Sequence, residues 1–205
     1  MIISFEGGEG VGKSTHSKLL CSHLEAQGLP CLSFREPGGS SFSELVRGLF
    51  FRDGIDPMTE LLMVLASRRE NIVKMIEPGL AGGMIVVIDR FIDSTLVYQG
   101  VLRGLGVEKV RGLMEASGTW VVPDLTFVLD APPERSLARI VPGDKFENQG
   151  IEFHRRLRQA YLDLAEERRH RVIDSDRLKE EVSRDIIAQA DLFLANTGSG
   201  SGHPA

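Results

Sequence analysis

Apolar positions along the chain alternate between two patterns, short continuous runs and residues spaced three or four apart. Residues 2–6 form an apolar run that stops at a cluster of glycines. Residues 13–26 then place Leu19, Leu20, His23 and Leu24 at helical spacing, so strand, loop and helix are predicted in that order. A second strand over 30–34 ends in "REPGG", and a helix follows around 42–51. From 59 to 77, Leu61, Leu62, Leu65, Ile72, Val73 and Ile76 mark a buried stripe on a long helix that Pro78-Gly79 should close. "MIVVIDR" (84–90) is continuous and β-branched, as in a strand covered on both faces, and "DLTFVLD" (124–130) repeats the pattern.

After Pro132-Pro133 the pattern predicts a short helix, a turn-rich break "VPGDK" (141–145), and a long polar helix from about 147 to 169. "RVID" (171–174) predicts a last strand and 177–194 a last helix. The remainder, "NTGSGSGHPA" (196–205), is expected to be a disordered Gly/Ser tail, leaving one domain over 1–195. Strands alternating with helices imply an α/β fold, a parallel sheet with helices on both faces and a ligand crevice at the carboxyl ends of its strands.

Composition narrows the function classes. With 42% apolar and 26% charged residues the chain reads as globular, and it has no apolar run of about 18 residues to cross a bilayer. The amino terminus lacks the basic flank of a secretory signal, so a cytoplasmic protein without a membrane partner is expected. A net charge of −5 without a basic block argues against nucleic-acid binding, while leaving room for a locally basic pocket. Cys21 and Cys31 have no metal-ligand spacing and are expected to be buried free thiols.

The glycine cluster carries the chemistry. In "FEGGEGVGKST" (5–15), Gly7, Gly12, Lys13 and Ser14 satisfy G-x-x-x-x-G-K-[ST] between a predicted strand and a predicted helix, which is the P-loop context. Such a loop, here Gly7, Gly8, Glu9, Gly10, Val11, Gly12, Lys13, Ser14 and Thr15, turns successive N–H groups towards phosphate oxygens. Lys13 would neutralise the β- and γ-phosphates of a nucleoside triphosphate, and Ser14 would ligate Mg²⁺.

Neither N-K-x-D nor D-x-x-G occurs, which counts against a GTPase switch. Where a motor ATPase would carry an acidic pair after its hydrophobic strand, this chain has Asp89-Arg90. An arginine fork beside the Mg²⁺-linked aspartate suits an enzyme that grips a second phosphate, so the residues lean towards a kinase of a phosphorylated acceptor.

The segments "FEGGEGVGKST", "REPGGSS", "ELLMVLASRR", "DRFIDSTLVYQG" and "RVID" occur in the order and spacing of bacterial thymidylate kinases, and from residue 1 to about 195 the chain resembles that family. The resemblance implies phosphorylation of dTMP by ATP, a five-stranded parallel-sheet P-loop fold with a short mobile lid (about 140–147), and a homodimer. It also implies roles. Glu9 lies near the acceptor's sugar and phosphate; Glu36 and Pro37 border the acceptor site; Arg68 reaches the base and phosphate region. Asp89 is the Mg²⁺-linked carboxylate and Arg90 the clamp on the dTMP phosphate, while Ser94, Thr95, Tyr98 and Gln99 read the thymine edge and crowd the 2′ position.

Three positions depart from the family. Val64 stands where an aromatic residue commonly stacks on thymine, and Phe91 or Phe42 is expected to substitute in part. The lid carries Lys145 as its only cation, with Arg139 just before it; both are expected to approach the transferring phosphoryl group on closure. Phe91 replaces a common tyrosine. The alternatives are a kinase acting on dUMP, another nucleoside monophosphate or thymidine and, from another class, a P-loop switch or motor.

Overall fold

The computed structural model describes residues 1–198, apart from residues 142, 144, 166 and 167. Five parallel strands form the sheet: β1 (Ile2–Gly7), β2 (Cys31–Arg35), β3 (Ile85–Asp89), β4 (Leu125–Asp130) and β5 (His170–Asp174), in the order β2-β3-β1-β4-β5. β1 pairs with β3 (Phe5 opposite Asp89) and with β4 (Gly7 opposite Leu129). That register brings the end of β1, where the glycines begin, level with Asp89, so the two motifs meet at one sheet edge.

Helices α1 (Lys13–Ala26) and α9 (Lys179–Gly198) cover one face, and their packing closes a core of Ile3, Phe5, Leu20, Leu24, Val87, Phe127 and Ile186. On the other face α3 (Pro57–Asn71), α4 (Glu77–Ala81) and α6 (Val107–Ala116) enclose Ile2, Leu61, Leu65, Ile76, Val86, Ile88 and Met114. α2 (Ser41–Phe50) packs beside α3. Asp56 caps α3, accepting from the N–H groups of Met58 and Thr59, with Pro57 in the first turn. α5 (Ile92–Thr95) runs into a π-helical segment, Leu96–Leu102. α7 (Pro133–Ser136) and α8 (Ile151–Leu164) lead to β5.

Several expectations need correction. Pro78 does not end the helix begun at Pro57; a π segment over Ile72–Ile76 intervenes, and Pro78 occupies the first turn of α4, where a missing N–H costs little. Of the expected stripe, Leu61, Leu65, Ile72 and Ile76 are buried while Leu62 and Val73 face outward. α6, capped by Gly106, has only Val110 and Met114 buried and escapes a search for apolar periodicity. α8 is shorter than predicted, and α9 continues to Gly198, so residues 196–198 of the expected tail are helical. The rest of that tail (199–205) and positions 142 and 144 of the expected lid lie outside the described residues. Cys21 and Cys31 are not free thiols; they form a disulfide, because α1 doubles back along β2 and sets their Cα atoms 5.6 Å apart.

Candidate active site

At the carboxyl ends of the strands a crevice of about 690 Å³ opens. One end is made by the loop from Glu9 to Thr15, together with His16, Arg139, Ile140 and the segment after β5, including Arg177 and Lys179. Gly12 has a φ of 94° and caps α1, so the helix begins with its N–H groups facing the crevice. Gly10 has a φ of 71°, and a Cβ there would lie 2.0 Å from the Ser136 carbonyl oxygen, so only glycine fits. Gly7 and Gly8 stand behind this loop, lining a small separate cavity; they shape the turn without lining the crevice.

Lys13 is buried and donates to the Gly8 carbonyl. Burial and the Arg90 charge pull its pKa down to about 8, against the opposing pull of Glu9, Asp89 and Glu6. Ser14 donates its hydroxyl hydrogen to Asp89, so the two oxygen groups expected at Mg²⁺ are already adjacent. One carboxylate and one hydroxyl fit a hard cation that completes its shell with phosphate oxygens and water. Among the described residues no cluster of three or more His, Cys, Asp or Glu side chains could hold a metal unaided.

The other end is built from side chains. Arg90 follows β3 with a φ of 68°, the one non-glycine residue in the left-handed region among those described. Its conformation is held on both sides, by its own N–H on the Phe5 carbonyl (2.9 Å) and by the Phe91 N–H on Glu6 Oε1 (2.8 Å). The guanidinium pairs with Glu9 at 2.7 Å and donates to the Gly7 carbonyl and the Tyr161 hydroxyl. Glu9 also accepts from the Tyr98 hydroxyl at 2.7 Å. Burial alone would raise the Glu9 pKa, yet Arg90, Lys13 and Tyr98 bring it down to about 2. Glu6 moves the other way: burial and the nearby Asp93 push it up to about 7 despite hydrogen bonds from Ser94 and Phe91.

Arg68 is 1% exposed and pairs through Nε with Glu36 at 2.7 Å, donates to the Thr95 hydroxyl at 2.9 Å, and lies over the Phe91 ring. Asn71 donates to the other Glu36 oxygen. The helix α3 is thus buried on two sides, with Leu61 and Leu65 in the core and Val64 and Arg68 at the crevice. Pro37, Thr95, Tyr98 and Gln99 line the crevice as well.

Three sequence expectations change. Ser94 lines the crevice, but its hydroxyl donates to Glu6 (2.6 Å) and meets Tyr161 (2.7 Å), so it braces the wall from behind. Of the two rings expected to substitute, Phe42 does not line the crevice, while Phe91 does, buried with Arg68 over its ring; the rings that share the Val64 side are Phe50, Phe51, Tyr98 and Phe146. Lys145 does not line the crevice either. Its ammonium group sits on the Phe50 carbonyl (2.6 Å) and Glu60 (2.7 Å), drawn there because Glu60 is a buried anion. Arg139 does reach the crevice, held by the Ser175 carbonyl and Asp176.

Sequence reasoning missed Glu6, Glu60, Phe50, Phe146 and Tyr161. The carboxylates Glu6 and Glu60 carry a usable signal, a charge placed inside an apolar run or at a buried helix position, because such a charge must be paired. The aromatic residues carry none, since any core could use them.

A family model described as thymidylate kinase matches residues 5–186. The thymidylate kinase of Synechococcus sp. (strain JA-3-3Ab) is 45% identical, covering 86% of this chain and 87% of its own. That of Symbiobacterium thermophilum is 41% identical with 98% of each chain covered. The crystal structure of thymidylate kinase from Ehrlichia chaffeensis superposes with a TM-score of 0.77 at 34% identity, covering 93% of this chain and 98% of that one.

Proposed function

The chain belongs to the thymidylate kinase family, and from that premise we propose how its crevice transfers a phosphoryl group from ATP to dTMP. As a nucleoside monophosphate kinase it yields ADP and dTDP. The observation that carries the reading is the placement of two cationic groups, Lys13 and Arg90, in one crevice, with the buried pair Arg68–Glu36 beyond them. One crevice can therefore hold two phosphorylated ligands end to end.

An oxygen of the dTMP phosphate attacks the γ-phosphorus of ATP, and the bond from that phosphorus to the β–γ bridging oxygen breaks. A phosphate monoester with a second pKa of about 6 is mostly a dianion at pH 7, so no side chain has to remove a proton. The protein's work is positioning and charge neutralisation. The backbone of Glu9 to Thr15 cradles the donor phosphates, with Lys13 spanning the β- and γ-oxygens and Arg139 beside them. Arg90 grips the dTMP phosphate with two N–H groups, and Glu9 and Tyr161 fix the plane of that fork. Glu9 stays ionised and accepts from the sugar, while Tyr98 crowds the 2′ position and Thr95, Gln99 and Arg68 face the base. Ser14 and Asp89 hold Mg²⁺, which screens the phosphate charge when bound.

We also propose a homodimer. Phe42, Leu45 and Leu49 recur at helical spacing along α2 with exposures of 45%, 74% and 45%, and Leu62 on the neighbouring α3 is 53% exposed. Such an apolar face supports self-association. A cytoplasmic location fits an enzyme that draws on ATP; among the described residues no helix is long and apolar enough to cross a membrane.

The test is phosphotransfer from ATP with Mg²⁺ to dTMP, dUMP, dCMP, dGMP and thymidine, with an acceptor-free control. Turnover confined to dTMP is expected. Equal turnover of thymidine would remove Arg90 from its phosphate-clamping role, and ATP hydrolysis without an acceptor would favour the switch or motor class.

A further inference from the structure

Glu60 is fully buried on α3, outside the crevice lining, and the reaction as derived does not use it. Its carboxylate nevertheless gathers three donor side chains, two from the π-helical segment and its C-cap and one from far along the chain. Gln99 Nε2 donates to Oε1 at 2.8 Å, Arg103 donates to both oxygens with Nη2 at 2.7 Å, and Lys145 Nζ donates to Oε2 at 2.7 Å. Burial by itself would raise the pKa of Glu60, but hydrogen bonds from Arg103, Lys145 and Gln99 hold it below the ordinary range. At neutral pH it is therefore an acceptor only.

This fixes the orientation of Gln99. An amide shows NH₂ on one side and C=O on the other, and against an ionised carboxylate only the NH₂ side is tolerated. Gln99 is 2% exposed and lines the crevice, so with its NH₂ committed to Glu60 the carbonyl oxygen remains for a ligand.

We propose that Glu60 is a positioning residue for the choice of acceptor base: by holding the Gln99 amide from behind, it presents the Gln99 carbonyl to the crevice as a fixed hydrogen-bond acceptor. This inference rests on the reading of the crevice as the dTMP site. Thymine and uracil carry a hydrogen on N3 that can donate to this oxygen. Cytosine has a bare lone pair there, which would leave two acceptors facing each other without a proton.

The test compares kcat/KM for dTMP and dCMP, at saturating ATP, in wild type, Glu60→Gln, Gln99→Met and the double variant. Glu60→Gln lets the Gln99 amide reverse, and the dTMP-to-dCMP ratio is expected to fall about tenfold, through KM for the acceptor and with KM for ATP unchanged. In the Gln99→Met background, Glu60→Gln should lower the ratio no further. Equal loss for both acceptors, or a further loss of the ratio in the double variant, would overturn the proposal by reducing Glu60 to a support of the fold or a route independent of Gln99. If Glu60→Gln does not fold, Glu60→Asp keeps the charge for Arg103 and Lys145 but falls short of Gln99, and the same readings apply. Wild type without dTMP turnover would overturn the acceptor assignment itself, and this inference with it.

Discussion

The two ends of the crevice are built on different principles. The donor end is mostly backbone: a loop of consecutive residues whose φ angles at Gly10 and Gly12 turn N–H groups inward, needing little from the rest of the chain. The acceptor end is mostly side chains, paired across long stretches of sequence, with Arg68 to Glu36 separated by 32 residues, Lys145 to Glu60 by 85 and Tyr98 to Glu9 by 89. A backbone cradle is cheap to specify and serves any nucleoside triphosphate. Under the proposed function a network of buried charges chooses the acceptor, which ties that choice to the stability of the fold.

If the contrast holds, damage at the donor end should cost activity alone. Lys13→Ala is expected to lower kcat by about 10³ with the thermal midpoint unchanged, read from initial rates and calorimetry. A large loss of stability would show the donor end to be structurally tied as well. Arg68→Met at the acceptor end leaves Glu36 buried and unpaired, so a loss of about 3–5 kcal/mol in urea unfolding is expected, together with a raised KM for dTMP.

A smaller effect is expected at Lys145. Lys145→Ala removes one charged hydrogen bond from Glu60 while Arg103 stays, costing about 2 kcal/mol in urea unfolding and leaving kcat nearly unchanged. A fall in kcat to the level of Lys13→Ala would instead return Lys145 to the transferring phosphoryl group.

The smallest effects concern protons. With its pKa near 8, Lys13 is partly neutral in the free enzyme above pH 8, and bound phosphates favour its charged form. ATP binding at pH 8.5 should then take up protons, measurable by titration calorimetry in buffers of different ionisation enthalpy; proton release would contradict the assignment. At the other end, Glu6 holds its proton up to about pH 7 in the fold against 4.5 when unfolded. The native state then binds the extra proton between those values, so stability should decline as pH rises from 4.5 to 7. Glu6→Gln should remove that slope, as followed by urea midpoints across the range.

Much of this molecule was legible because its signals are local. The strands "MIVVIDR" and "DLTFVLD" announce themselves by continuous apolar runs, and the phosphate loop by glycines at fixed offsets from Lys13. Arg90 was legible from its place beside Asp89, but Glu9 and Tyr98 were legible only through resemblance, since nothing in their spacing says that a carboxylate and a phenol will meet.

The sequence by itself determined the α/β alternation, the carboxyl-edge crevice and the donor loop, because each depends on backbone conformations and periodicities that a few neighbouring residues set. Tertiary packing placed Pro78 in the first turn of α4, where its missing N–H costs little, and set Ser94 against Glu6 and Lys145 against Glu60. The last two contacts answer buried carboxyl groups that need a donor. That need exists only once distant segments have packed and excluded water.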